Sequence, residues 1–137
     1  MKSVLRAVID TNVFVSALGG SSVCHEIYEL FKRNKFHLVM SNALFEEIIS
    51  VVSRPRFTFT DARINALDKR LRRKSKWAFP QESVSVCRDP KNNMVLECAL
   101  AGHADCIVTG DKDLLSLEKF KEIALITPQQ FMNPSPQ

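Results

Sequence analysis

Val4-Leu5-Arg6-Ala7-Val8-Ile9 runs straight into Asp10-Thr11-Asn12, and far downstream Asp105-Cys106-Ile107-Val108-Thr109-Gly110 runs into Asp111-Lys112-Asp113. Each is a short, β-rich apolar stretch closed by a carboxylate. A buried strand reads this way. Working outward, Phe36-His37-Leu38-Val39-Met40 and Ile123-Ala124-Leu125-Ile126-Thr127 repeat the strand pattern, and Val84-Ser85-Val86-Cys87 is a weaker instance. Between them lie helical segments. Ser21 or Ser22 caps a helix over 23–34 whose apolar stripe is Ile27, Leu30 and Phe31. Ser41 caps another that runs to about Ser53 and stops before Arg54-Pro55. A very basic helix is expected from Asp61 to about Trp77, and Asp89-Pro90 opens one that Gly102 ends. Alternating strands and helices predict an α/β class with parallel pairing and right-handed crossovers.

The bulk numbers agree. With 137 residues, 45% hydrophobic and 25% charged, the chain has ordinary globular usage. No internal repeat, low-complexity stretch or linker interrupts it, so one domain over residues 1–132 is expected, with 133–137 as a frayed tail. The net charge of +4 is compatible with a polyanionic partner without demanding one. No apolar run approaches the roughly 20 residues that span a bilayer. The first residues carry a charge and pass directly into a motif, against a cleaved signal peptide. Cys24, Cys87, Cys98 and Cys106 are scattered. Cys98 and Cys106 read as reduced core residues, and with His103 they lack a fourth ligand at zinc spacing. A cytoplasmic location and no membrane partner are expected.

The acidic positions have two readings each. Asp10-Thr11-Asn12 is a turn or helix cap, or part of a site. Glu46 and Glu47 separate by helical phase. Leu44, Ile48, Val51 and Val52 form the apolar stripe, Glu46 lies opposite it, and Glu47 lies at its edge, able to face a cleft. Asp89 before Pro90 is the usual opening of a helix, and Asn92 falls in its first turn. The helix N-terminus should attract an anion. Asp111 and Asp113 either cap a short helix over Leu114 and Leu115 or belong to a site, with Gly110 allowing a sharp exit. In an α/β fold, ligands bind where parallel strands end. Two carboxylates about 4 Å apart at an effective dielectric of about 20 repel by about 4 kcal/mol. A hard divalent cation removes that cost, so Mg²⁺ or Mn²⁺ is the expected cofactor.

The run Lys69-Arg70-Leu71-Arg72-Arg73-Lys74-Ser75-Lys76, with Trp77, either grips phosphates or is a solvated helix face with Leu67 and Leu71 turned inward. Arg54, Arg56, Lys32 and Arg33 extend the patch if they share its surface.

In order, four segments resemble the PIN-domain family, over nearly the whole chain. Val8 to Ala17 resembles its opening motif. Glu47 to Phe57 resembles the glutamate helix of a branch labelled as toxins of bacterial toxin–antitoxin pairs. Asp89 to Glu97 and Ala104 to Leu115 are similar to its third and fourth motifs. The resemblance implies a three-layer α/β/α fold around a mainly parallel sheet of four or five strands. It implies Mg²⁺- or Mn²⁺-dependent ribonuclease activity with site positions at Asp10, Glu47, Asn92 and Asp111. It also implies frequent dimers and, for toxins, an antitoxin protein partner. One departure stands out. The family usually has aspartate where this chain has Asn92, which offers an oxygen but no charge. Asp89, Glu97 or Asp113 compensates, or metal binding is weakened.

The resulting expectation is hydrolysis of RNA phosphodiesters, with the metal held by Asp10, Glu47 and Asp111, helped by Asp113 and Asp89. Thr11, Asn12 or Thr109 would orient a phosphate or a metal-bound water. No lysine or histidine stands at a motif position, so the metal must generate the nucleophile. Arg54, Arg56, Lys69, Arg70, Arg72, Arg73, Lys74 and Lys76 are the candidate RNA contacts. Two rivals remain: a catalytically weakened module that binds RNA or an antitoxin, and a phosphohydrolase using Asp10 as nucleophile. The latter usually carries a second aspartate two residues on, where this chain has Asn12.

Overall fold

A computed structural model describes residues 4–133. Its strands are β1 (Arg6–Ile9), β2 (His37–Met40), β3 (Lys76–Trp77), β4 (Cys106–Val108), β5 (Lys119–Phe120) and β6 (Ile123–Ile126). They form one sheet in the order β3-β2-β1-β4-β6-β5. All neighbours are parallel except β5 and β6, which form an antiparallel hairpin at one edge. The helices are α1 (Thr11–Leu18), α2 (Ser22–Lys32), α3 (Asn42–Val52), α4 (Asp61–Lys74), α5 (Pro90–Ala101), α6 (Lys112–Leu115) and α7 (Pro128–Met132). The mixed α/β, mainly parallel architecture is as expected, with six strands rather than four or five because two-residue strands extend both edges. Of the tail expected at 133–137, residues 134–137 lie outside the described residues, as do 1–3.

Strand alternation sorts the helices into two layers. Ile9 and Leu38 point towards α1 and α2, where Phe14, Ile27 and Phe31 close the core. Val39 points the other way, towards the end of α5. Ala7, Val8, Val39 and Ile107 are completely buried. In a parallel sheet covered on both faces, strands read as continuous apolar runs rather than alternating ones.

Serine and aspartate caps start the helices where the residue types indicate. Ser21 accepts from Cys24 N–H, Ser41 from Leu44 N–H and Asp89 from Lys91 N–H. Two expectations fail for tertiary reasons. The basic helix ends at Lys74, not near Trp77, because Lys76 and Trp77 pair with Val39 and Met40 as β3. Val84–Cys87 is not a strand. Three of its backbone groups are bonded by α5 side chains instead: Glu97 accepts from Val84 N–H at 2.8 Å, and Asn93 bonds both the N–H and C=O of Cys87 at 2.8 and 2.9 Å. With those groups taken, no ladder forms there. β6 falls on the strand expected at Ile123–Thr127 and α1 starts at the helix-cap reading of Asp10, whereas α7 and the two-residue β5 have no counterpart in the sequence reading.

Gly102 does end α5, but not by a left-handed turn: its φ is −93°, and the left-handed residue is His103 at φ 53°. Glycine is required there because a Cβ would overlap Val39 Cγ1.

Candidate active site

Chain direction over the sheet reverses between β1 and β4. From β1 the path goes outward through β2 and β3, and from β4 it goes the other way through β6. Such a switch point opens a crevice beyond the carboxyl ends of the strands. Ile9 pairs with Val108, so the residues that follow emerge side by side, and Asp10 N–H donates to Val108 C=O at 2.9 Å. A cavity of about 170 Å³ lies there. Water's share of liquid volume is about 30 Å³, so the space admits a phosphate group or a hydrated ion.

Asp10, Glu47, Asp89, Asn92 and Asp111 all line this cavity, from four separate stretches of chain. Glu47 is part-buried on α3 and Glu46 is exposed, as their helical phase requires. The competing readings of each aspartate turn out to be compatible, because a carboxylate has two oxygens. Asp10 caps α1 by accepting from Thr11 N–H at 2.8 Å, and its other oxygen accepts from the Thr109 hydroxyl at 2.7 Å. Asp111 caps α6 through one oxygen, Oδ1, which accepts from Asp113 and Leu114 N–H. Asp89 Oδ1 caps α5. That last bond uses an N–H expected to serve a ligand, so the α5 terminus is occupied by its own side chain.

Other assignments shift. Thr109 is fully buried and outside the cavity lining. Its hydroxyl donates to Asp10 and accepts from Asp111 N–H at 3.0 Å, tying the two aspartate-bearing turns together rather than meeting a phosphate. Thr11 and Asn12 do line the cavity, whereas Asp113 is exposed and outside it. Arg54 and Arg56 line the same cavity as the carboxylates, and none of the α4 basic residues does. Beside the apolar Met94 and Val95, the lining includes two residues with no role in the sequence reading: Phe57 and Lys91, whose ammonium lies 3.5 Å from Glu47 Oε2. The signal was present, since both sit inside motif segments, but their side chains reach the cavity only through the fold.

Burial raises the Asp10 carboxyl above the ordinary aspartate range. The Thr109 hydroxyl and Thr11 N–H favour the ionised form and offset part of this, while the charges of Asp111 and Glu47 push it up again. A cation beside these groups would reverse the last two effects. The donor set is all oxygen, which suits a hard divalent ion. Among the described residues, no three His, Cys, Asp or Glu side chains draw close enough to form a ready-made metal cluster. The carboxylates share a cavity, and Asn92 supplies a neutral oxygen donor where a further charge is expected.

Because folded Asp10 keeps its proton to higher pH than in the unfolded chain, it costs stability as pH rises. The loss begins near the unfolded value of about 3.9 and is complete above the raised folded value. Asparagine keeps an acceptor for Thr11 N–H, and its NH₂ can donate to the Thr109 oxygen in place of the bond that Asp10 accepts, without the charge. In metal-free buffer, Asp10→Asn should therefore melt above the wild type at about pH 7, with the gap narrowing as pH is lowered towards about 4. Circular dichroism melts across that range check this, and a gap that does not change with pH contradicts it.

A family model described as PIN domain matches residues 6–113, a span that runs from the first residue of β1 to Asp113 and encloses every acidic position above. The chain belongs to the PIN-domain family. An uncharacterized protein of Methanocaldococcus jannaschii, MJ1680, is 30% identical over 137 aligned residues, covering 97% of this chain and 88% of that protein. VapBC2 from Rickettsia felis, in a crystal structure bound to a DNA fragment from their promoter, superposes with a TM-score of 0.58 at 15% identity. The match covers 90% of this PIN domain and 98% of that chain, and it bears on the fold. PIN domains are generally nucleases. No helix among the described residues is long and apolar enough to cross a membrane. The four cysteines are free, with burial pushing the Cys98 and Cys106 thiols up to about 11 and about 12, which keeps both protonated at neutral pH.

Proposed function

We propose that this PIN domain is a divalent-metal-dependent endoribonuclease that hydrolyses RNA phosphodiesters and serves as the toxin of a toxin–antitoxin pair. One observation carries the reading: Asp10, Glu47 and Asp111 converge on a single cavity at the sheet's switch point, beside Arg54, Arg56 and Lys91. Carboxylates alone would repel RNA, and basic groups alone would bind it without chemistry. When bound, Mg²⁺ or Mn²⁺ would supply an activated water and neutralise charge on the phosphate.

The residues that would hold the ion are Asp10, Glu47 and Asp111, with the Asn92 and Asp89 side-chain oxygens at the same wall. Thr109 and Thr11 fix the orientation of Asp10 through the two bonds described. Arg54 and Arg56 face the cavity as cations suited to phosphate oxygens. Lys91 neutralises part of the Glu47 charge before substrate arrives. Thr11 and Asn12 are the polar lining groups available to orient a phosphate. The likeness in fold to VapBC2 supports an antitoxin protein as partner, and the family habit supports a homodimer.

Incubating purified protein with mixed RNA and Mn²⁺, against an EDTA control, tests the activity. Metal-dependent cleavage is expected, and intact RNA at stoichiometric enzyme removes the proposal. A second reading, a weakened module that binds RNA or antitoxin, is favoured by one specific observation: Asn92 is buried on the cavity wall where a charge is expected. Asn92→Asp separates the two. It adds the missing carboxylate, and a ligand change of this kind typically alters metal affinity by about 10–100-fold. At metal in excess, a tenfold gain should raise the Mn²⁺-induced melting shift by about 4 °C. Without metal the same variant should melt lower than wild type, because a further negative charge joins Asp10, Glu47 and Asp111. Cleavage that appears only in the variant would establish the weakened reading.

A further inference from the structure

The basic side chains of the α4 region divide between two sides. Arg72 belongs with Phe45 and Trp77: its guanidinium lies 4.7 Å from the Phe45 ring centroid and bonds Asp68 at 2.6 Å. Lys76 follows in the adjoining edge strand. Arg63, Arg70 and Lys74 belong to the other side, against α1 and α2. Arg63 donates to Leu18 C=O at 2.6 Å, Arg70 to the Tyr28 hydroxyl at 3.3 Å and Lys74 to Lys32 C=O at 3.0 Å. Two surface grooves adjoin along this side. One is bordered by Arg63, Arg70 and Lys32, the other by Lys69, Arg70, Arg73 and Lys74, and Ala66 and Arg70 belong to both.

This basic side connects to the acidic cavity through two aromatic rings. Arg63 lies 5.4 Å from the Phe59 ring centroid. Phe59 stacks on Phe57 with centroids 5.8 Å apart and planes 9° from parallel, and Phe57 with Arg56 lines the cavity. Acidic groups beside the path are few. Glu29 borders the first groove, already held by Lys32 at 2.8 Å and His25 at 3.5 Å, and Asp61 is exposed in the first turn of α4.

We propose that single-stranded RNA lies along this side of α4, the strand passing from the cavity over Phe57 and Phe59 to Arg63, Arg70 and the Lys69–Lys74 end. The proposal rests on the nuclease reading for what happens in the cavity and adds the path of the strand outside it. From Arg63 to Lys74 the helix rises about 16 Å, so the track spans several nucleotides beyond the cavity. Cations in a row follow a phosphate backbone without reading sequence. The two stacked rings carry Arg56 at 4.8 Å and Arg63 at 5.4 Å from their centroids, and an unpaired base, whose face a duplex hides, takes the place of a guanidinium that turns to the phosphates. Arg72 and Lys76, on the other side, take no part.

Fluorescence anisotropy with labelled RNA in EDTA tests this without any cleavage. The probes are single strands of about 4 and about 16 nucleotides and a duplex of about 16 base pairs. The longer single strand should bind at least about tenfold tighter than the short one, and tighter than the duplex. Arg63→Ala with Arg70→Ala should weaken the long strand about tenfold and flatten its log–log salt slope by about 1.4, two phosphate contacts' worth. The short strand should be unaffected. Arg72→Ala with Lys76→Ala removes the same charge and should change little. Arg63→Lys with Arg70→Lys keeps the charge and should restore most of the affinity, which separates lost contacts from a disturbed fold. Equal losses from the two alanine pairs, duplex binding as tight as single-strand binding, no dependence on length, no restoration by lysine, or no binding of the long strand would each overturn the track. Binding along the track without cleavage in Mn²⁺ would instead remove the nuclease reading and leave the track standing.

Discussion

Asp10→Asn should lower metal-dependent RNA cleavage by about 100-fold or more while the protein stays folded. Asp10 is the most buried of the cavity carboxylates, ends the central strand, and is the group on which Asp111 and Glu47 both act. Its two oxygens are oriented by Thr11 N–H and the Thr109 hydroxyl, so the side chain is held in place before any ligand arrives. Asparagine retains the volume and the acceptor for Thr11 N–H, and reverses the bond with Thr109, while losing the charge. Disturbing even an outer partner of a metal ligand typically costs about 10–100-fold, so removing a charged ligand should cost at least as much. Three measurements check it together. Cleavage rate in Mn²⁺ should collapse, and the melting temperature in EDTA should equal or exceed that of the wild type. The melting shift that Mn²⁺ produces in the wild type should shrink in parallel. A variant that cleaves at the wild-type rate discards Asp10 as a ligand, whatever the fate of the family assignment.

Gly102→Ala is expected to have the largest effect on stability, about 1–3 kcal/mol of destabilisation, or a fall in melting temperature of roughly 4–12 °C. Alanine usually costs little against glycine. Here the added Cβ would overlap Val39 Cγ1 and stand 3.3 Å from Ala78 Cβ. Val39 is fully buried on β2, with neighbours on both sides of it in the sheet, and a β-branched side chain has no easy rotamer to escape into. The end of α5 would have to lift from the sheet, moving the helix that presents Asn92 to the cavity. Combining Gly102→Ala with Val39→Ala tests the cause. If the overlap is responsible, most of the Gly102→Ala penalty vanishes in the Val39→Ala background. An unchanged penalty would place the strain elsewhere.

The fold class was legible because its signals are local. Ser21, Ser41, Asp89 and Asp111 cap helices through their own side chains, within three residues of the N–H groups they satisfy. The phase that separates Glu46 from Glu47 is likewise a property of one helix. Errors arose where distant partners decided the outcome. Val84–Cys87 has strand-like residues, yet Glu97 and Asn93 reach its backbone before any strand does. Trp77 continues a helical run by composition, but the free edge of β2 draws it into the sheet. Gly102 does end α5 as its residue type indicates, and only the approach of Val39 reveals the packing reason for glycine there.

For the site, sequence alone marked Asp10, Glu47, Asn92 and Asp111 as positions of interest, because strand ends, helix phase and caps can be read residue by residue. The charge expected at Asn92 came only from the resemblance to the family. What only the tertiary structure decided is proximity: β1 lying beside β4 in parallel register, Arg54, Arg56, Phe57 and Lys91 arriving at the same wall, and the basic residues around α4 dividing between two sides. The physical reason is that caps and periodicity depend on neighbours along the chain, whereas a cavity depends on crossovers that bring remote segments together.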